Sequence, residues 1–272
     1  MASHQLSFKV DFAELAGRTN RLIWRVTQLA AFALSAVDRV ADEEFGELSM
    51  RGALIGLGPG HTPDPQTRIA FRQWIIGCAL RDAVETTLVL LDDVRRICAI
   101  GRFSRRGDFP AQEWAADENA QREFHMLTLS QKLKCLTREF GLKLPKEKRS
   151  ALFSLVAARN CLVHRLGIVG IADASSDGLL KVSWLGFEMR TVGPAGDRVI
   201  ESLPGKVAAD ERLQVVARKR SRTFAIGQQV DFSTAEFTEV GVFLQIVSQT
   251  IAAITATVAA LPVAAGDSQS SG

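Results

Sequence analysis

PKEKRSALFSLVAARNCLVHRLGIV, residues Pro145 to Val169, reads as a helix with marked ends and a polar group set into its apolar side. Pro145 suits the first helical position, where a missing N–H costs nothing, and Glu147 complements the positive end of the helix dipole. Gly167 can stop the helix in a left-handed conformation. At about 100° per residue, Leu152, Leu155, Val156, Leu162, Val163 and Leu166 form one stripe, which predicts a core-facing side. Arg159 falls near the middle of that stripe, while Asn160 and His164, four apart and so neighbours on the helix surface, line its edge. A guanidinium keeps its proton, so an uncompensated arginine in that position costs on the order of several kcal/mol in desolvation. A buried salt bridge, or a route for the long side chain out to water, would compensate it.

These three residues also make up a small kit for anion binding and proton transfer. Arginine suits a phosphate, histidine carries a proton near neutral pH, and asparagine orients a neighbour. Arg159-Asn160-Cys161-Leu162-Val163-His164 reads R-N-x-x-x-H, and it resembles the R-x(4–6)-H signature of the HEPN superfamily, in which a polar residue usually follows the arginine. His164-Arg-Leu-Gly-Ile-Val continues as many members of that superfamily do. The resemblance is strongest over Leu127 to Val169 and architectural elsewhere.

The resemblance implies an up-and-down helical bundle and a metal-independent endoribonuclease, acting as a toxin or in antiphage defence. In that chemistry the RNA 2′-OH attacks the adjacent phosphate, which also makes the enzyme spare DNA. His164 would act as general base or acid, Arg159 would stabilise charge on the phosphorane, and Asn160 would orient the phosphate or the imidazole. No metal and no cofactor is implied. RNA is the implied partner, together with a second copy paired through the motif helix and an antitoxin or neighbouring defence component. Related toxins often carry a tyrosine two residues after the histidine, which a partner enzyme modifies. That position here is Leu166, and the chain contains no tyrosine at all, so direct binding is one remaining way to neutralise it.

The other segments are read from composition and period. With 272 residues, 47% hydrophobic content and 23% charged residues, the chain has the make-up of a globular protein with a sizeable core. Its net charge of +3 is too small to argue nucleic-acid binding by itself. Cys78, Cys98, Cys135 and Cys161 lie in helical patterns without C-x-x-C spacing, which predicts buried thiols, a reducing compartment and a cytoplasmic protein. The first residues lack a charged-then-apolar leader. His4 and His125 lie apart from carboxylates at metal-binding spacing and are assigned no role.

Apolar periodicity predicts helices over Arg21 to Phe45, Gln66 to Ile100 and Leu129 to Phe140, the last opened by a Thr128/Gln131 capping box and closed by Gly141. Gly46 to Pro65, with its Gly56-x-Gly58-x-Gly60 run and His61, reads as a surface loop, and Gly101 to Phe124 as a connector with one short helix. Asp92, Asp93, Arg95 and Arg96 read as a solvated face, with the alternative that some of them meet Arg159.

After Gly170 the period changes to two. Leu180, Val182 and Trp184 predict one strand, Arg198 to Ser202 a second, and Phe224 to Phe232 a third. Arg218, Lys219, Arg220 and Arg222 form the densest basic cluster, read either as a solvated face or as a contact to the RNA backbone. A Ser233/Glu236 capping box opens a final helix from Thr234 to about Leu261, which polar interruptions mark as a bundle helix rather than a membrane span. The expected architecture is therefore all-α and HEPN-like over residues 1–265, with a small β insertion at about 178–232 and a disordered tail at 266–272. Two rival functions remain: a non-catalytic HEPN module that binds nucleic acid or protein, and a structural helical protein in which Arg159 is salt-bridged.

Overall fold

The computed structural model describes residues 10–40, 65–106, 110–193, 196–199 and 211–259. The glycine loop with His61, the N-terminal His4, the helix ends expected at Phe45 and Leu261, the strand end at Ser202 and the tail from Gly266 lie outside these residues. Among the described residues the order is α1 (Phe12–Arg39), α2 (Pro65–Arg106), α3 (Ala111–His125), α4 (Leu129–Phe140), α5 (Lys146–His164), β1 (Leu179–Gly193), β2 (Gly196–Val199), β3 (Arg212–Ala225) and α6 (Thr234–Ala259). The chain is mostly helical, with a small antiparallel sheet before the last helix.

Helix boundaries follow from local chemistry. α1 starts nine residues before the first expected position because the Asp11 carboxylate accepts the Glu14 N–H at 2.9 Å, satisfying one of the orphan donors of the first turn. α2 runs past Ile100 to Arg106, so Gly101 does not stop it. A Cβ at Gly101 would lie 2.5 Å from the Ala259 carbonyl oxygen, so this glycine is needed for close approach to α6. The capping boxes at Thr128/Gln131 and Ser233/Glu236 both form, and Gly141 closes α4 at φ 73°.

The sheet has the order β2-β1-β3. β1 pairs with β3 from Leu179 to Val192, setting Leu180 against Phe224, Val182 against Arg222 and Trp184 against Arg220. The third strand is therefore Arg212–Ala225 and not Phe224–Phe232. Gln229 makes only an isolated bridge to Ile168. The charged run concealed the strand because β3 is an edge exposed along most of its length, where arginine and lysine also discourage pairing with other chains.

Contacts divide the chain into two compact units, one of residues 1–21, 85–145 and 246–272, the other of residues 22–84 and 146–245. In the first, Leu91, Val94, Cys98, Phe103, Leu133, Leu136 and Ile251 form the core. Set among them are two buried cations. Lys132 is 1% exposed and pairs with Asp92, and Arg95 is 2% exposed and meets Asp117 at 3.1 Å and Gln121 at 2.9 Å. Both cations lie over the Phe124 ring, at 5.2 and 5.9 Å from its centroid. Asp92 and Arg95 are therefore not a solvated face, and Asp92, Asp93 and Arg95 find their partners inside this unit. The pairing is invisible in sequence because Asp117 and Lys132 lie 22 and 40 residues from their partners.

In the second unit α5 packs on β1. Ser154 Oγ accepts the Ser183 N–H at 2.9 Å and donates within its own helix to the Ala151 carbonyl at 2.7 Å. The Trp184 indole N–H donates to Glu239 of α6 at 2.9 Å, and the Phe187 N–H donates to the same carboxylate at 3.2 Å. Gly186 makes room for that carboxylate, since a Cβ there would lie 2.5 Å from Glu239 Oε2. α6 is long and apolar enough by composition to cross a membrane, yet within the fold Phe237, Phe243, Leu244, Val247 and Ile251 are buried along it.

Gly241 of α6 sits against Thr27 of α1, and a Cβ there would lie 2.2 Å from Thr27 Oγ1 and 2.5 Å from its Cγ2. Gly241→Ala is expected to cost about 1–3 kcal/mol, the usual penalty for overpacking. Adding Thr27→Ala should restore most of that loss in urea unfolding. A Gly241→Ala protein as stable as the parent would contradict the packing.

Candidate functional site

α5 buries Ala151, Leu152, Leu155, Ala158, Cys161 and Leu162. This face is rotated from the expected stripe, because Ala151, Ala158 and Cys161 take part in it while Val156 and Val163 are half-buried and Leu166 is 80% exposed. Alanines and a cysteine are small, and hydrophobicity alone gives them too little weight in a periodicity reading. Arg159 accordingly lies at the margin of the buried face and is half-buried. Its Nη1 donates to Asn160 Oδ1 at 3.0 Å, so the two adjacent polar residues are held together. His164 is exposed at the last helical position, and among the described residues its ring makes no hydrogen bond.

The turn after His164 is fixed from several sides. Leu166 and Gly167 are both left-handed, at φ 53° and 76°. The Arg165 and Gly167 N–H groups return to the Cys161 carbonyl at 2.9 and 3.2 Å, closing the helix end. Backbone bonds from Val169 N–H to the Gln228 carbonyl and from Val230 N–H to the Gly167 carbonyl, at 2.9 and 2.8 Å, tie this turn to the segment before α6. Arg165, next to His164, grips Asp173 with two N–H groups, Nε at 2.6 Å, and the Gly170 N–H adds a bond of 2.9 Å to the same carboxylate. Burial alone would raise the Asp173 carboxyl, but the Arg165 and Gly170 hydrogen bonds outweigh it and hold the group below the usual carboxylate range. The sequence reading did not find Asp173. Its signal is an aspartate opening the turn-rich Asp173-Ala-Ser-Ser-Asp-Gly, eight residues after an arginine.

The basic cluster lies on β3. Arg218, Arg220 and Arg222 share one face of the strand by their two-residue spacing, and Lys219 points the other way. Each of the three arginines has a carboxylate at ion-pair distance: Glu188 at 3.9 Å, Glu239 at 3.7 Å and Glu236 at 3.6 Å. All three remain close to half exposed, so their pairing is weak and leaves N–H groups toward solvent.

Beside the helix end runs an apolar groove of about 480 Å³ lined by Trp74, Gly77, Cys78, Val163, Leu166 and Ile168. Gly77 lets α2 pass close to α5, since a Cβ there would sit 3.4 Å from Leu162 Cβ. Trp74 is 63% exposed and stacks on Phe71 with ring centroids 5.8 Å apart. Cys161 lies under the site, and burial pushes its thiol up to about 11, as it does for Cys98 and Cys135. These thiols stay protonated at neutral pH and belong to the packing rather than to nucleophilic chemistry.

The exposed imidazole at the helix end can exchange a proton, and the amide-bound guanidinium five residues before it can bind a phosphate. Comparison with family models, with curated proteins and with solved structures gives no match for this chain.

Because the Asp173 carboxyl titrates low, its contribution to stability is present above the ordinary carboxylate range and is lost as pH falls through its folded value. Asp173→Asn should therefore melt several degrees lower than the parent at pH 7, with the gap narrowing steadily as the pH is taken below about 4. An unchanged gap across that range, followed by calorimetry, would show that the Arg165 clamp does not carry the effect.

Proposed function

We propose that the chain is a HEPN-type, metal-independent endoribonuclease, serving as a toxin or antiphage effector that cleaves RNA by 2′-OH attack. The observation that carries this reading is the end of α5, where Arg159 and Asn160 are joined by a hydrogen bond and His164 is exposed in a turn locked by backbone bonds and by Asp173. His164 exchanges the proton with the 2′-OH or the leaving oxygen. Arg159 takes up the charge that develops on the phosphate, and Asn160 keeps the guanidinium in place.

Five residues along a helix amount to about 500°, so Arg159 and His164 of one chain point some 140° apart. A phosphate held by both is better served by Arg159 of one copy and His164 of another. The apolar groove beside Val163 and Leu166 gives a second copy a surface to cover. Leu166 supports this view, since a leucine held left-handed costs about 1–2 kcal/mol yet projects 80% exposed.

A non-catalytic HEPN module that binds nucleic acid or protein is the second reading, and the ion-paired β3 arginines favour its protein-binding form. Their facing glutamates offset the positive charge that a strong RNA-backbone contact requires.

Purified protein is expected to cleave RNA in EDTA, leaving 2′,3′-cyclic phosphate ends, with His164→Ala and Arg159→Ala lowering the rate by about 10²-fold or more while keeping parental helicity. Equal cleavage by all three proteins, or by none against a broad RNA pool, favours the binding module. Leu166→Asn, which suits a left-handed position, should leave the melting temperature unchanged or raised and should shift the protein toward monomer in sedimentation. Undiminished self-association would remove the groove from the interface.

A further inference from the structure

A cleft of about 1070 Å³ belongs to the first unit and shares no lining residue with those invoked for the proposed function. It opens between the second half of α2 and α3, with Ile100, Ala111, Trp114 and Met126 giving it apolar walls. Its carboxylates give a first impression of an acidic site, which the pairing reverses. Asp92 is held by buried Lys132 and by His125, Asp93 by Arg18, and Asp117 by Arg95 and Arg102. Glu118 is the remaining carboxylate, and it accepts the Trp114 indole N–H at 3.2 Å.

The lining cations are committed to a lesser degree. Arg96 is exposed and has no ion-pair partner among the described residues, and Arg122 donates only to the neutral Asn119 side chain, at 3.3 Å. His125 stands at the same cleft with Nδ1 set against Asp92 at 2.9 Å, which orients the ring and leaves its other nitrogen uncommitted. Once the internal pairs are set aside, two guanidiniums face one carboxylate. The residual charge is positive, next to the edge of an indole that is itself fixed by Glu118 and by the Phe103 ring at 5.8 Å. Apolar walls with a few convergent polar groups are the general form of a small-molecule site.

We propose that this cleft binds a small organic anion with a flat apolar body, an aromatic carboxylate, sulfonate or phosphate. Its ring lies along Trp114 and Ile100, and its charged end is taken by Arg96 and Arg122. The size of the cleft fits a molecule of two or three fused or linked rings.

Anilinonaphthalene sulfonate tests this in the full chain, because its fluorescence rises when it enters an apolar site. Binding should be saturable, and Trp114→Leu should weaken it while Trp74→Leu leaves it intact. Arg96→Glu/Arg122→Glu should weaken the dye at least about tenfold, as expected for the loss of two charge-assisted contacts. It should change the binding of the uncharged analogue N-phenyl-1-naphthylamine by less than about twofold. Arg96→Gln/Arg122→Gln serves if the charge reversal fails to fold. Absence of binding, affinity unchanged by Trp114→Leu, or equal loss of charged and neutral dyes would overturn the proposal. Because RNA cleavage is read separately, failure here leaves the α5 site untouched, and the converse holds as well.

Discussion

The arrangement around α5 depends on one constraint: its helix must end at His164 and turn at once. Two consecutive left-handed residues, Leu166 and Gly167, accomplish the turn, and a leucine in that conformation persists only where its surroundings over-determine it. Here the backbone ties to Gln228 and Val230 do so, together with the Arg165 grip on Asp173. Without them the last turn of α5 would fray, and the imidazole would lose a fixed position relative to Arg159 and Asn160. The end of α5 is thereby held by backbone and side-chain bonds although His164 itself is exposed.

The two units solve different problems of charge. The first keeps Lys132 and Arg95 almost wholly buried, each with its own carboxylate and both against Phe124. Removing Asp92 or Asp117 alone would strand a buried cation, a far larger penalty than losing the pair together. The second unit holds its cations near the surface on β3 and balances them with Glu236 and Glu239 from α6 and Glu188 from β1. Glu239 does more than balance, since it also receives the Trp184 indole and the Phe187 N–H, and Gly186 exists at that position to admit it.

Helices with capping signals were legible from sequence. α4 matches residue for residue because Thr128, Gln131 and Gly141 mark both ends by local chemistry. α2 extends beyond the expected Ile100, and the contact with the Ala259 carbonyl explains why a glycine stands inside it at position 101. β3 was missed because an exposed edge strand does not alternate between apolar and polar. Within the site, Arg159, Asn160 and His164 were legible as a motif, whereas the buried face of α5, the Asp173 clamp and the glutamates facing the β3 arginines were not. Each of those depends on residues brought together by tertiary packing, or on small side chains whose role is closeness rather than hydrophobicity.

In the function proposed for this chain, the reactive groups meet across two copies of α5. Mixing Arg159→Ala protein with His164→Ala protein, allowing the subunits to exchange and assaying RNA cleavage in EDTA tests it most directly. A shared site predicts that two inactive proteins regain about a quarter of parental activity, since half of the dimers are mixed and each mixed dimer holds one intact site. A mixture as inactive as its components, with subunit exchange confirmed, would contradict the shared site.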